Sequence, residues 1–325
     1  MLKRLLLGVL VFVVLGGATA AWLLYSPNPP APLVRAEAVT ITVDGHTRSY
    51  LLVAPPDAPP LSPVLLVLHP SRGDGAEMRR IVGGTIERIT AADHPLIVYP
   101  DGFEGHFNDC RRAASYSART AGIDDVAFMR AIVDRLVTER QADPRRVFAL
   151  GYSNGGQLVV RLTLEAPDLL AGAIVISANL PTVDNLACRI GELPTRRLVF
   201  IEGTSDRINP FNGGPVTLFG FGSRGSVRPA RASAAWFAQT LGLLSSGSQP
   251  LATASGLAAY HEDWIGAEGR VMLVTIQSGG HTVPQAAYRF PRILGSTFRS
   301  DVVLESAWQF VAGDATAEGT HTKNP

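Results

Sequence analysis

A serine, an aspartate and a histidine stand in this chain where acyl-transfer chemistry would need them. Ser153 lies in Gly151-Tyr152-Ser153-Asn154-Gly155, a G-x-S-x-G pattern. A serine hydroxyl is a weak nucleophile until a neighbouring base takes its proton. The apolar run Arg146 to Leu150 precedes this serine and a helix-like run, Gln157 to Glu165, follows it. Strand, sharp turn and helix would hold Ser153 in a strained conformation with Oγ pushed above a sheet, the flanking glycines admitting close neighbours. The pattern alone is weak, because glycines near a strand end often serve only a turn. An acid and a histidine downstream are what raise it.

Asp206 follows the strand-like run Arg197 to Glu202 within Gly203-Thr204-Ser205-Asp206. His281 follows the run Arg270 to Gln277, led in by Gly279-Gly280. Asp206 would fix the tautomer of His281, and His281 would act as general base toward Ser153 and then as general acid toward the leaving group. An aspartate in a turn is more commonly a cap, but its place after a late strand favours the catalytic role. The other histidines fit less well: His46 and His261 fall in hairpins, His94 and His106 in loops, and His321 in the tail. His69 ends a strand and is expected to orient the loop that follows it. An oxyanion hole needs two N–H donors. Asn154, at the start of the helix, is expected to supply one. Pro70 has no N–H, so Ser71 or Arg72 must supply the other, and Ser71 is preferred. Tyr152 and Phe211 are expected to line an acyl pocket, with local packing an equal alternative. No metal-ligand spacing and no phosphate-cradling loop occurs, so no cofactor is expected.

These residues need a sheet whose strands end at one edge. Val39 to Val43 and Thr47 to Val53 alternate around Asp44-Gly45, a hairpin signal. Val64 to Leu68 and Leu96 to Tyr99 are continuous apolar runs, the pattern of strands buried on both faces. With the runs before Ser153, at Gly172 to Ser177, and before Asp206 and His281, the count is eight strands. Helical spacing is read over Glu77 to Thr90, from Asp124 or Asp125 to about Gln141, over Pro229 to Leu243 and over Asp301 to Val311. Arg130/Asp134 and Arg135/Glu139 are spaced to pair on the outer face of the second of these. Alternating buried strands and amphipathic helices predict an α/β architecture: a mostly parallel eight-stranded sheet with helices on both faces. Chemistry then collects at the carboxyl ends of the strands.

The chain has 325 residues, 29 basic and 28 acidic, a net charge of +1 that argues against nucleic acid as a partner. Lys3 and Arg4 precede residues 5–25, which carry no charge. Their length suits a membrane span and Ala18-Thr19-Ala20 suits a signal-peptidase site, so residues 1–25 are read as a signal peptide or an N-terminal anchor. Either sends the rest out of the cytoplasm. Residues 26–33 read as a proline-rich linker, 34–311 as one catalytic domain and 312–325 as a disordered tail. In an exported chain the two cysteines, Cys110 and Cys188, are expected to form a disulfide.

The segments Gly151 to Gly156, Gly203 to Pro210 with Gly213-Gly214, and Gly279 to Pro284 together resemble the polyhydroxybutyrate depolymerase / feruloyl esterase family of α/β-hydrolases. Asn108-Asp109 and Ile123 to Phe128 are similar to that family's pattern as well, and the resemblance runs from about Val39 to Phe310. It implies an exported serine esterase acting on small or oligomeric esters such as short-chain hydroxyalkanoate, feruloyl or acetyl esters. Two departures stand out. His69-Pro70 replaces the usual His-Gly, and Val283 stands where a tryptophan is usual. Two other readings compete: a peptidase on the same fold, and a non-catalytic, membrane-tethered binding protein.

Overall fold

In the computed structural model, residues 14–27, 34–55, 58–191 and 196–313 are described. Ten strands form one sheet: β1 (Glu37–Val43), β2 (His46–Val53), β3 (Val64–Leu68), β4 (Leu96–Pro100), β5 (Val147–Tyr152), β6 (Gly172–Ile176), β7 (Arg197–Gly203), β8 (Leu244–Ala254), β9 (Leu257–Gly266) and β10 (Gly269–Ile276). Their order across the sheet is β1-β2-β4-β3-β5-β6-β7-β10-β9-β8. The six strands from β4 to β10 in that order run parallel, with antiparallel hairpins at both edges. The expectation of eight strands is therefore corrected to ten. The two extra strands form the β8–β9 hairpin, which pairs on β10. The β8 sequence, LSSGSQPLATA, is mostly exposed and polar, so it has no alternation to betray it. Pro250 and two register shifts in its pairing suit an edge strand.

The central strands are apolar throughout because both of their faces are covered. Along β3, Val64, Leu66 and Leu68 enter one core cluster, and Leu65 and Val67 enter the other. This is the two-residue period of a strand seen from both sides. On the first face lie α2 (Asp125–Arg140), α3 (Asn154–Glu165) and α4 (Ala230–Thr240), through Phe128, Leu158 and Phe237 among others. On the second lie α1 (Gly75–Ile89) and α5 (Val302–Ala312), through Met78, Ile86, Val303 and Trp308. Each fully buried Leu or Phe contributes on the order of 2 kcal/mol, so both layers are needed to hold the sheet edge rigid.

The helix signals hold to within a few residues. Asp124 caps α2 by accepting from Ala127 N–H, and Asp74 caps α1 by accepting from Glu77 N–H. On α2, Arg135 pairs with Glu139 as spaced, but Arg130 reaches across to Asp168 instead of to Asp134. Two oxygens of Asp168 accept from its guanidinium in a fork, at 2.6 and 2.7 Å. An Asp one turn along the helix cannot offer that geometry as readily. A buried pair, Arg48 with Asp125 at 2.7 Å, fastens β2 to the start of α2.

Cys110 and Cys188 form the expected disulfide, closing a separation of 78 residues. It ties the loop after β4 to the segment after β6, and Ala187 N–H donates to Cys110 O beside it. Residues 14–24 are helical. Arg292 reaches this helix, donating to Trp22 O and lying over the Trp22 ring. Among the described residues no helix is long and apolar enough to cross a membrane. Residues 1–13 of the expected leader or anchor, 28–33 of the linker and 314–325 of the tail lie outside the described residues.

Candidate active site

The bend between β5 and α3 is as tight as the sequence pattern requires. Ser153 has φ 56° and ψ −114°, an uncommon conformation for a residue with a side chain. Its N–H donates to Ile176 O on β6, which pins the bend to the sheet. A Cβ on Gly155 would overlap the Leu68 carbonyl at the end of β3, and one on Gly151 would overlap the Gly155 carbonyl. Glycine at both positions is what lets α3 start directly above the strand.

The carboxyl edge brings Ser153, Asp206 and His281 together from three strands. Ser153 Oγ lies 2.9 Å from His281 Nε2, and Asp206 Oδ2 lies 2.6 Å from His281 Nδ1. Asp206 Oδ1 accepts from the N–H groups of Ile208 and Asn209, both at 2.8 Å, so the carboxylate is held from both sides. Nδ1–H donating to Asp206 leaves Nε2 as the acceptor facing the serine hydroxyl. Asp206 and His281 are buried. Gly280 N–H and His281 N–H donate to Ser296 O and Leu294 O, fixing the histidine's backbone.

A cavity of about 230 Å³ opens beside Ser153. Pro70 and Ser71 line it on one side of the serine, and Ile208, Tyr288, Phe290 and Leu294 supply apolar wall. Tyr152 lines it too, as expected, but is only 3% exposed. Its hydroxyl donates to His281 O at 2.7 Å and its ring lies against the imidazole. Burial, then the charge of Asp206, pushes the Tyr152 phenol well up, so it stays a donor. Tyr152 thus acts mostly on the histidine. Phe211 is corrected: it is not among the cavity-lining residues and packs against the core cluster that holds α2, α3 and α4. Ala230 N–H donates to Phe211 O, which ties this residue to the start of α4.

The loop after β3 is built around His69. The ring is fully buried, its Nε2 accepts from Gly102 N–H at 2.8 Å, and its Nδ1–H donates to Pro70 O at 2.7 Å. Burial holds its pKa down at about 4, so the ring is neutral and keeps that tautomer. Arg72 N–H donates to Gly105 O. Of the two donors left open by Pro70, Ser71 is therefore the one at the cavity. Asn154 does more than begin α3. Its Oδ1 accepts from Phe107 N–H, and its Nδ2 donates to Phe107 O and Asp109 Oδ2. That locks the elbow to the Asn108-Asp109 loop. Asp109 is itself buried in an ion pair with Arg111 and accepts from the Tyr116 hydroxyl. Burial opposes the charge on Asp109, but Arg111 outweighs it and the carboxyl is held below its usual range.

Glu202 went unread in the sequence, although a carboxylate directly after the apolar run Leu198 to Ile201 is a signal. It is fully buried at the end of β7. Its Oε1 accepts from Ala178 N–H and its Oε2 from Asn209 Nδ2. Burial, then the nearby charge of Asp206, pushes its pKa well above the usual carboxylate range. Glu202→Gln preserves volume and one acceptor and is expected to cost about 1 kcal/mol, whereas Glu202→Ala leaves two buried donors unpaired and is expected to cost about 3 kcal/mol. The sign of the pH dependence follows. The unfolded acid ionises above about 4.5 while the folded one keeps its proton, so this group lowers stability as pH rises from that value. Urea melts at pH 5 and pH 8 would show a smaller decline in the Gln variant; equal declines would refute the assignment.

No family model matches the chain. It is 29% identical over 295 residues to "Putative esterase NocK" of Nocardia uniformis subsp. tsuyamanensis, covering 84% of this chain and 81% of that protein. It is 25% identical over 171 residues to "Feruloyl esterase B" of Piromyces equi, covering 49% of this chain and 30% of that longer protein. Among solved structures, the acetyl xylan esterase from Aspergillus awamori superposes with a TM-score of 0.52 at 15% identity, covering 77% of this chain and 95% of that one. The last likeness establishes a shared fold.

Proposed function

We propose that this chain, an α/β-hydrolase related to the polyhydroxybutyrate depolymerase and feruloyl esterase-like esterases, hydrolyses carboxylic esters by an acyl-enzyme route. The observation that carries the reading is the relay from Ser153 Oγ through His281 to Asp206, at 2.9 and 2.6 Å. Ser153 attacks the ester carbonyl as His281 Nε2 takes its proton. The imidazolium that forms is stabilised by Asp206, whose second oxygen is already held by two N–H groups. The tetrahedral oxyanion is met by the N–H of Asn154, where the α3 dipole adds to it, and by the N–H of Ser71. His281 returns the proton to the leaving alcohol. Water, activated by the same histidine, then releases the acid.

The cavity size favours short or single-ring acyl groups, which fits hydroxyalkanoate, acetyl or feruloyl esters. The N-terminal segment and the disulfide support export of the domain. The test is turnover of p-nitrophenyl acetate and butyrate, with labelling of Ser153 by a fluorophosphonate. Turnover with an initial burst and a label on the peptide containing Ser153 is expected. Neither turnover nor label would refute the reading, and faster cleavage of matched amides would favour the peptidase.

A further inference from the structure

The cavity beside Ser153 carries charge in one place that catalysis does not use. Three charged residues line it: Glu77, Arg111 and Arg224. Arg111 is spent on Asp109 in a buried pair, and Glu77 lies within 3.6 Å of Arg80, its neighbour on α1. Arg224 is different. It is half-buried, and among the described residues no carboxylate pairs with it. Its guanidinium makes a single 3.3 Å contact, donating to Gly222 O. Yet its backbone is held firmly. Arg224 N–H donates to Val216 O, and Arg224 O accepts from Asn185 Nδ2. Asn185 Oδ1 in turn accepts from Ala113 N–H, and Asn185 O accepts from Arg112 N–H, next to the disulfide at Cys110. The loop that presents Arg224 is thus tied to the loop that presents Arg111. Burial, then Arg111, pushes the pKa of Arg224 down, and the opposing charge of nearby Asp109, already paired with Arg111, does not make up for it.

Resting on the esterase reading, we propose that Arg224 binds a carboxylate on the substrate, so that this site prefers esters whose acyl or alcohol part carries an acidic group. A guanidinium offers a fork of donors that matches a carboxylate. An unpaired one half-removed from water is costly, and an anionic ligand relieves that cost. The apolar wall of Ile208, Tyr288 and Phe290 would take the carbon chain between the ester and the acid. Arg224 is a binding residue in this scheme and takes no part in bond making.

Two matched pairs of esters test the inference. Monomethyl glutarate against methyl pentanoate places the carboxylate on the acyl side. 4-Acetoxybenzoate against 4-methylphenyl acetate places it on the alcohol side. In the wild-type enzyme, kcat/KM for the acidic ester is expected to exceed that of its neutral partner by about tenfold or more in one of the pairs. The advantage should sit mainly in KM and shrink as salt rises from 0.05 to about 0.5 M. In Arg224→Gln that ratio should fall to one or below, and Arg224→Lys should keep part of it. A ratio near one in both pairs for the wild-type enzyme would overturn the inference without needing a variant. A wild-type preference that survives in Arg224→Gln would also overturn it. In both cases neutral esters are still hydrolysed and the esterase reading stands. Failure to turn over any of the four esters overturns this inference, and the esterase reading falls with it only if p-nitrophenyl butyrate is not hydrolysed either.

Discussion

Ser153→Ala is expected to lower kcat on p-nitrophenyl butyrate by about 10⁵-fold while leaving the fold intact. The physical reason lies in what the hydroxyl supplies. His281 Nε2 faces Ser153 Oγ at 2.9 Å, and no other hydroxyl is hydrogen-bonded to that nitrogen among the described residues. Without Oγ the route through an acyl-enzyme is closed. The residual rate would come from binding and from the two proposed oxyanion donors, which are backbone groups and survive the change. Alanine accepts φ 56° about as poorly as serine, and the Ser153 N–H bond to Ile176 O is retained. The thermal midpoint should therefore move by less than about 2 °C, within the range of a surface change. Active-site titration with a fluorophosphonate, followed by turnover assays, measures both halves of the expectation. A variant that keeps even one hundredth of the wild-type kcat would show that Ser153 is not the nucleophile.

His69→Ala is the second large effect. It should cut kcat by roughly 10²-fold with little change in KM, because it removes the support of one oxyanion donor. The peptide unit between Pro70 and Ser71 is planar, so its carbonyl and its N–H point in opposite directions. His69 Nδ1–H holds the Pro70 carbonyl from inside the protein, and the Ser71 N–H is thereby turned outward, on the side where Pro70 and Ser71 line the cavity. Proline at position 70 fixes its own φ and gives up an N–H that this geometry does not call on. The departure from His-Gly is thus compatible with a working oxyanion loop. His69→Asn retains an amide donor near the Nδ1 position and should recover part of the lost kcat, which a purely packing role would not predict.

The same histidine carries a pH signature. Its folded pKa is about 4 against 6.5 for a free side chain. Between these values the unfolded chain binds the proton and the folded one does not, so stability falls as pH is lowered from about 6.5 toward 4. The loss is roughly 3 kcal/mol at 1.36 kcal/mol per unit. Glu202 acts with the opposite sign over part of this range, so the comparison is between wild type and His69→Asn across urea melts from pH 7 to pH 4. The wild type should lose more stability than the variant. Parallel curves, or full kcat in His69→Ala, would remove His69 from this role.

Much of the site was legible because its signals are local. A serine between glycines, after an apolar run and before a helical one, specifies an elbow through steric demands that neighbouring residues alone create. Asp206 and His281 each follow a buried strand, and parallel strands deliver their carboxyl ends to one edge. Chain order therefore became spatial order without any long-range information. The disulfide followed from arithmetic, two cysteines in a chain with an export-like leader. The strands buried on both faces were legible for a similar reason, since continuous apolar runs have few other uses.

What stayed hidden depended on partners distant in sequence. β8 is a strand only because β9 offers it an edge to pair with; its own residues are mostly exposed. Phe211 was equally able to face a cavity or a core, and its tie to the start of α4 decided it. Arg130 had a partner at the right helical spacing and took a better one on another loop. Glu202 and Arg224 gain their character from burial and from neighbours that folding alone supplies. By itself, the sequence determined the order of the proposed nucleophile, acid and base along the chain, because their placement rests on local backbone demands. Only the tertiary structure decided which of Ser71 and Arg72 lies at the cavity, which residues wall it and what charge waits there, because each depends on what loops far apart in the chain place against one another.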